Sequence, residues 1–264
     1  MSSLIKLVVF DWAGTTVDFG SYAPVVPFTQ AMAKHGMTVT PAEVRGPMGL
    51  HKRDHLRLLM QLPASKKAFH HQHGRDWIEA DVEKIYQQDL IPIQMAALEG
   101  HSELLPHVLD TVETLRTRGI KIGTSTGYFR EAALVVFASA KKQGYVPDCN
   151  ILPDDVPQAR PAPWMIFRNM ETLNVFPPTA VVKVGDTPSD MAEARNAGCW
   201  AIGVLATGSE VGVTKPEWQN ASAAQRETWL KTAREKMMAA GAHDTIDTME
   251  DLPEKIRELE TKMN

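Results

Sequence analysis

Short apolar runs alternate along this chain with longer stretches in which apolar residues recur every three or four positions. The run from Leu4 to Phe10 ends in Asp11, the pattern of a buried parallel strand that delivers a carboxylate at its tip. Gly14, Thr15 and Thr16 follow as a turn, and from Pro24 the pattern turns helical, with Val25, Val26, Phe28 and Met32 on one side and Gly36 as the stop. Between about Ser21 and Gly100 no strand pattern is found. Leu56, Leu59 and Met60 continue a helix, and Ile85, Leu90, Ile93 and Leu98 form another. After Pro106 helices and strands alternate. Helices are predicted from Val108 to Gly119, Leu134 to Lys142, Pro163 to Leu173 and Pro188 to Asn196. Strands are predicted at Ile120 to Gly123, Asn150 to Leu152, Ala180 to Val184 and Trp200 to Val204. The tail reads as one long amphipathic helix from Pro216 to Ala240, a short strand near Thr245 and Ile246, and a last helix.

Strands alternating with helices predict an α/β fold with a Rossmann-like parallel sheet, and such sheets bind ligands at the carboxyl ends of their strands. Three polar clusters fall there: Asp11, Ser125 with Thr126, and Asp186. The helical stretch 21–100 interrupts the series, which divides the chain into a core (1–20 and 101–264) and an inserted cap (21–100) over that sheet edge. Lys and Arg number 28 against 32 Asp and Glu among 264 residues, a net charge of −4, which disfavours nucleic acid as the main partner. Two cysteines, Cys149 and Cys199, are too few for a disulfide framework and read as small core residues. No apolar stretch approaches the roughly 20 residues of a spanning helix, so the expectation is a soluble cytoplasmic protein that engages no membrane.

The acids carry the chemistry. Asp186 and Asp190 are four apart across a strand-to-helix turn, so both can point to the locus that Asp11 reaches. Converging carboxylates repel unless a hard cation lies between them, and Mg²⁺ suits such oxygen ligands and commonly bridges them to phosphate.

These residues resemble the haloacid dehalogenase superfamily. Its four motifs are Asp-x-Asp-Gly-Thr, a Ser or Thr after a strand, a Lys or Arg, and Gly-Asp-x-x-x-Asp. Here they fall in order on Asp11 through Thr15, on Thr126, on Arg160, and on Gly185, Asp186 and Asp190. The resemblance implies Asp11 as nucleophile and Mg²⁺ held by Asp11, Asp186 and the Ala13 carbonyl, with Asp190 supporting that site. It also implies Thr126 and Arg160 on the phosphoryl oxygens. One position departs from the pattern. Ala13 stands where the family's second acid protonates a departing alcohol oxygen, so ordinary ester cleavage would lack its general acid. Either the chain is a non-catalytic phosphate-binding relative, or its leaving group needs no acid there.

Lys52 supplies the second possibility. By itself it reads as a solvated lysine, but it follows the turn Pro47-Met48-Gly49 in the cap. A desolvated lysine over a phosphoryl site can form an imine with a carbonyl substrate, and an iminium lets a carbon leave phosphorus as an enamine. Three segments, Asp11 to Asp18, Pro47 to His55 and Pro153 to Trp164, resemble the carbon–phosphorus-cleaving branch of the superfamily. That resemblance implies Lys52 as a Schiff-base lysine, an aldehyde-bearing phosphonate as the small-molecule substrate, phosphonates as a phosphorus source, and a homodimer. Met48, Gly127 and Tyr128 are candidate substrate contacts, although Met48 also suits turn packing. His55 is three residues after Lys52, on the same face of a helix, and reads equally as a proton shuttle or a packing residue. His51 is assigned no role. Lys183, on a buried strand, either pairs with a motif acid or escapes to solvent at an edge, the simpler idea. Trp12 and Trp164 read as core or rim packing. A phosphomonoesterase or phosphomutase of the same superfamily is the competing enzyme, which Ala13 disfavours and which would leave Lys52 idle.

Overall fold

The computed structural model describes residues 3–263. Six parallel strands form one sheet in the order β3-β2-β1-β4-β5-β6: β1 (Leu7–Phe10), β2 (Lys121–Ser125), β3 (Cys149–Ile151), β4 (Val181–Gly185), β5 (Trp200–Val204) and β6 (Asp244–Ile246). The chain winds outward from β1 in both directions, so the reversal of strand order falls between β1 and β4, where open parallel sheets form their ligand crevice. Register places the motifs. Phe10 lies opposite both Thr124 and Val184, so Asp11, Ser125 and Gly185 leave the sheet at the same edge.

Side chains alternate across the sheet. Val8 and Phe10 enter an apolar cluster that continues through Trp12 and Val17 to Phe28, Leu56 and Met60 of the insertion. Leu7 and Val9 pack on the opposite face with Ile166, Met191 and Met237. The insertion after β1 carries six described α-helices: α1 (Val25–Ala33), α2 (Pro41–Arg45), α3 (Lys52–Gln61), α4 (Pro63–His73), α5 (Glu79–Ile85) and α6 (Ile91–Ala97), the last two joined by a π-helical turn at Tyr86–Leu90. No strand occurs in this insertion among the described residues, as the missing period-two pattern indicated. The remaining helices are α7 (Val108–Thr117), α8 (Arg130–Lys142), α9 (Trp164–Thr172), α10 (Pro188–Ala197), α11 (Lys215–Asn220), α12 (Ala223–Ala239) and α13 (Leu252–Met263). No described helix is long and apolar enough to cross a membrane.

Two expectations are corrected. The single helix over Pro216 to Ala240 is two, α11 and α12. Ala221 turns to an extended backbone (φ −69, ψ 145), and Ser222 caps a new helix by accepting from the Gln225 N–H. Lys183 does not reach solvent. β4 is interior, and the side chain is fully buried with Nζ 2.8 Å from Asp190. Cys149 and Cys199 are buried and unpaired, and Trp12 packs against Phe137 and Tyr145, as expected. Trp164 is 45% exposed and meets Phe167 edge to face, at the rim.

Candidate active site

Asp11 follows the last residue of β1 and is fixed by the neighbouring strand β4, its backbone N–H donating to the Val184 carbonyl (2.9 Å). The chain then turns through Gly14 at φ +79, where a Cβ would lie 2.2 Å from Asp186 Oδ2, so glycine lets the loop pass against the second acid. On the far side of the crevice, α10 starts with Thr187 as its cap. Thr187 Oγ1 accepts from the Asp190 N–H while the Asp190 carboxylate bonds back to Thr187. The capping box therefore aims Asp190 at the strand end.

Asp11, Asp186 and Asp190 each bring a carboxylate oxygen within 4.8 Å of the others, and all three are buried. Their surroundings differ. Burial alone would raise Asp190, but Arg160 (2.9 Å) and Lys183 (2.8 Å) hold its carboxyl below the usual range. Asp186 makes no ion pair among the described residues. Its Oδ2 accepts from the Ser209 N–H (2.8 Å), and burial followed by the charges of Asp11 and Asp190 pushes it well above the usual carboxylate range. A carboxylate forced toward its neutral form by two others is the situation a divalent cation relieves, so the donor set fits Mg²⁺. Asp190 has both oxygens engaged by its own partners, which leaves Asp11 and Asp186 as the more available donors, with Ala13 beside them in the cleft wall.

Arg160 crosses beneath this group. Its guanidinium reaches Asp11 (2.8 Å), Asp190 (2.9 Å), Glu193 (3.0 Å) and Ser125 Oγ (2.8 Å). With three acids around one buried arginine, the group stays charged despite desolvation. Glu193, which the sequence reading missed, is fully buried and accepts from Ser125 Oγ (3.1 Å). Its signal was available. It follows Asp190 by three on α10, the same helical face.

Opposite these acids the insertion contributes Lys52. The buried residues of α3 are Lys52, His55, Leu56, Leu59 and Met60, one stripe of an amphipathic helix with the lysine at its first position. The helix thus drives the amine inward rather than into solvent. Lys52 is 3% exposed and its Nζ lies 5.3 Å from the centre of the Tyr128 ring. Burial lowers its pKa from 10.5 to about 8, against the opposing pull of Asp11, Asp186 and Asp18. The cleft is lined by Asp11, Ala13, Met48, Lys52, Thr126, Gly127, Tyr128, Arg160 and Asp186, nine candidates chosen from sequence, together with Ser21, Pro24, Gly49 and Thr187. Gly127 allows the insertion to seat. A Cβ there would stand 2.7 Å from the Leu50 carbonyl. Burial keeps the Tyr128 hydroxyl neutral by raising it well above 10, and that hydroxyl has no protein partner among the described residues.

Two candidates lie outside the cleft wall. Asp190 stands behind Asp186. His55 is fully buried, stacks on Phe28 (3.9 Å between ring centres) and donates from Nε2 to the Val44 carbonyl (2.7 Å). Burial, then the Lys52 charge, hold it well below 6.5, so the ring is neutral. In this position His55 ties α2 to α3. His51 caps α3, its Nδ1 accepting from the Arg53 N–H (3.2 Å).

Comparison with known proteins agrees with the geometry. The haloacid dehalogenase-like hydrolase family matches residues 5–198. A phosphonoacetaldehyde hydrolase from Bacillus cytotoxicus is 42% identical over 256 residues, covering 97% of each chain. One from Syntrophobacter fumaroxidans is 43% identical over 97% of this chain and 92% of its own. Among solved structures, a phosphonoacetaldehyde hydrolase-like protein from Oleispira antarctica superposes with a TM-score of 0.96 at 33% identity, over 99% of this chain and 95% of its own.

Proposed function

The chain belongs to the phosphonoacetaldehyde hydrolases within the haloacid dehalogenase-like hydrolases, and from that premise we propose that it cleaves the P–C bond of phosphonoacetaldehyde through a Lys52 imine and an Asp11 aspartyl phosphate. The observation that carries this reading is the buried Lys52 amine facing Asp11 across a cleft whose wall has Ala13 in place of an acid.

The substrate's phosphonyl oxygens would lie against Arg160 and Thr126, with the aldehyde toward Lys52 and Tyr128. A neutral Lys52 amine adds to the aldehyde carbon, and uptake of one proton with loss of water leaves an iminium. An Asp11 oxygen then attacks phosphorus. The P–C bond breaks, its electron pair moves into the carbon–carbon bond of an enamine, and the iminium nitrogen is neutralised. A carbon departs here and no oxygen needs a proton, which accounts for Ala13. Protonation of the enamine carbon and hydrolysis of the resulting iminium free acetaldehyde and Lys52. Water cleaves the aspartyl phosphate to phosphate and Asp11. A bound Mg²⁺, held by Asp11, Asp186 and the Ala13 carbonyl with Asp190 behind them, would offset the repulsion between the phosphonyl group and the attacking carboxylate.

Met48, Gly127 and Tyr128 shape the aldehyde end of the cleft. His55 supports catalysis either as a proton carrier or, as its bond to Val44 favours, by holding α3 in place. The same reading takes residues 21–100 as the cap domain and residues 1–20 with 101–264 as the core, with positions 1, 2 and 264 outside the described residues. It also takes the enzyme as a cytoplasmic homodimer serving phosphonate degradation. Phosphate release from phosphonoacetaldehyde, compared with a panel of phosphomonoesters, tests the substrate. Release from the phosphonate alone is expected, and turnover confined to the esters would refute it.

A further inference from the structure

We infer that Arg45 is a positioning residue that fastens the insertion to the loop holding Asp186, so that Lys52 and the acid cluster are set in place together. The inference rests on the proposed function for its catalytic consequence, and on geometry alone for the coupling.

Arg45 is the last residue of α2, and its guanidinium leaves the insertion. Nη1 donates to the Gly20 carbonyl (2.8 Å), the Ser209 carbonyl (3.4 Å) and Ser209 Oγ (3.3 Å), and Nη2 donates to the Gly212 carbonyl (3.2 Å). Its Cζ also lies 4.9 Å over the ring of Tyr22, whose hydroxyl donates to the same Gly212 carbonyl (3.0 Å). No carboxylate stands within ion-pair distance of it among the described residues, so the planar fork is used wholly on neutral acceptors of two separate backbone segments. Lysine, with one compact ammonium, cannot span that set.

The segment it grips also holds the metal-binding acid. Ser209 donates its backbone N–H to Asp186 Oδ2 (2.8 Å), two residues earlier Thr207 Oγ1 donates to the Gly14 carbonyl (2.8 Å), and Gly20 N–H donates to the Thr207 carbonyl (2.8 Å). From the other end of Arg45 the path to Lys52 is equally short. Val44, the preceding residue, accepts the buried His55 bond, and His55 shares the inward stripe of α3 with Lys52. One guanidinium thus joins the helix pair that aims the amine to the loop that orients the carboxylate.

Hydrogen–deuterium exchange on the full chain, wild type against Arg45→Met and Arg45→Lys, tests the coupling without reference to any substrate. In Arg45→Met, exchange is expected to rise in both 207–212 and 48–55 while β1 and β4 stay protected. Arg45→Lys should fall between the two proteins. A rise in only one segment, or in neither, overturns the coupling, and so does loss of protection throughout the sheet in both variants. With phosphonoacetaldehyde, kcat/KM of Arg45→Met should fall by about 30-fold, the loss of a few hydrogen bonds to a charged group, with partial recovery in Arg45→Lys. Unchanged kcat/KM beside an active wild type would refute the catalytic consequence. A wild type inactive on this substrate would refute the proposed function and leave the exchange result to decide the coupling.

Discussion

At the scale of single residues, the site depends on side chains placed where their ordinary chemistry is altered. An ordinary lysine near pKa 10.4 would hold well under 1% of its amine neutral at pH 7, whereas Lys52, lowered to about 8 by burial, holds about a tenth. Only the neutral amine attacks an aldehyde. The kcat/KM for phosphonoacetaldehyde should therefore rise about tenfold per pH unit below about 8 and level off above it. A profile flat from pH 6 to 8 would show that this amine does not limit the reaction. Lys183 shows the converse, a charge buried for its partners. It lies 2.8 Å from Asp190 and 3.9 Å from Glu193, all fully buried. Lys183→Met should lower stability by about 3 kcal/mol in urea unfolding, because it leaves buried acids facing each other around Arg160 alone. A change below about 1 kcal/mol would show the network relaxes without it. The sequence could not settle Lys183, since an inward position on β4 is visible only once β5 covers it. Glu193 was overlooked for a related reason. An acid one helical turn beyond a motif looks like surface until Arg160 arrives from a distant loop.

At the scale of elements, strands that end in acids were legible because buried parallel strands are continuous apolar runs, and Asp11 and Asp186 interrupt two of them. Helix α3 was legible from Leu56, Leu59 and Met60, and the same stripe placed Lys52 and His55 inward. The break between α11 and α12 was not read, because Ser222 serves as a cap only where the backbone has already turned, and the periodicity on each side hides the gap. Arg45 was beyond reach, since its acceptors are backbone carbonyls with no sequence signature. Seating of the insertion depends on Gly127, which the Leu50 carbonyl approaches. Gly127→Ala should reduce kcat/KM by at least tenfold while shifting the thermal midpoint by no more than a few degrees. Wild-type kinetics would mean that the insertion tolerates being held away from the core.

At the scale of the whole molecule, the sheet supplies carboxylates and the insertion supplies the amine, and neither part alone contains the site. The sheet order, with its reversal between β1 and β4, brings residues from the start and the last third of the chain to one crevice. Three buried acids bring carboxylate oxygens within 4.8 Å of one another, a donor set suited to a divalent cation. A ligand bound only by the folded state stabilises it by about 2.7 kcal/mol at a hundredfold excess over its Kd. Saturating Mg²⁺ should accordingly raise the thermal midpoint by a few degrees, and a chelator should abolish phosphate release until Mg²⁺ is restored. Release that persists after exhaustive chelation would contradict the assignment of these acids to a metal.

In the proposed reaction the buried amine of α3 becomes covalently joined to the substrate. Borohydride added during turnover of phosphonoacetaldehyde, followed by peptide mass spectrometry, reads this directly. A reduced two-carbon adduct on Lys52, absent from Lys52→Arg and accompanied by loss of activity, is the expected result. Full turnover by the wild type with no adduct on any lysine would contradict it.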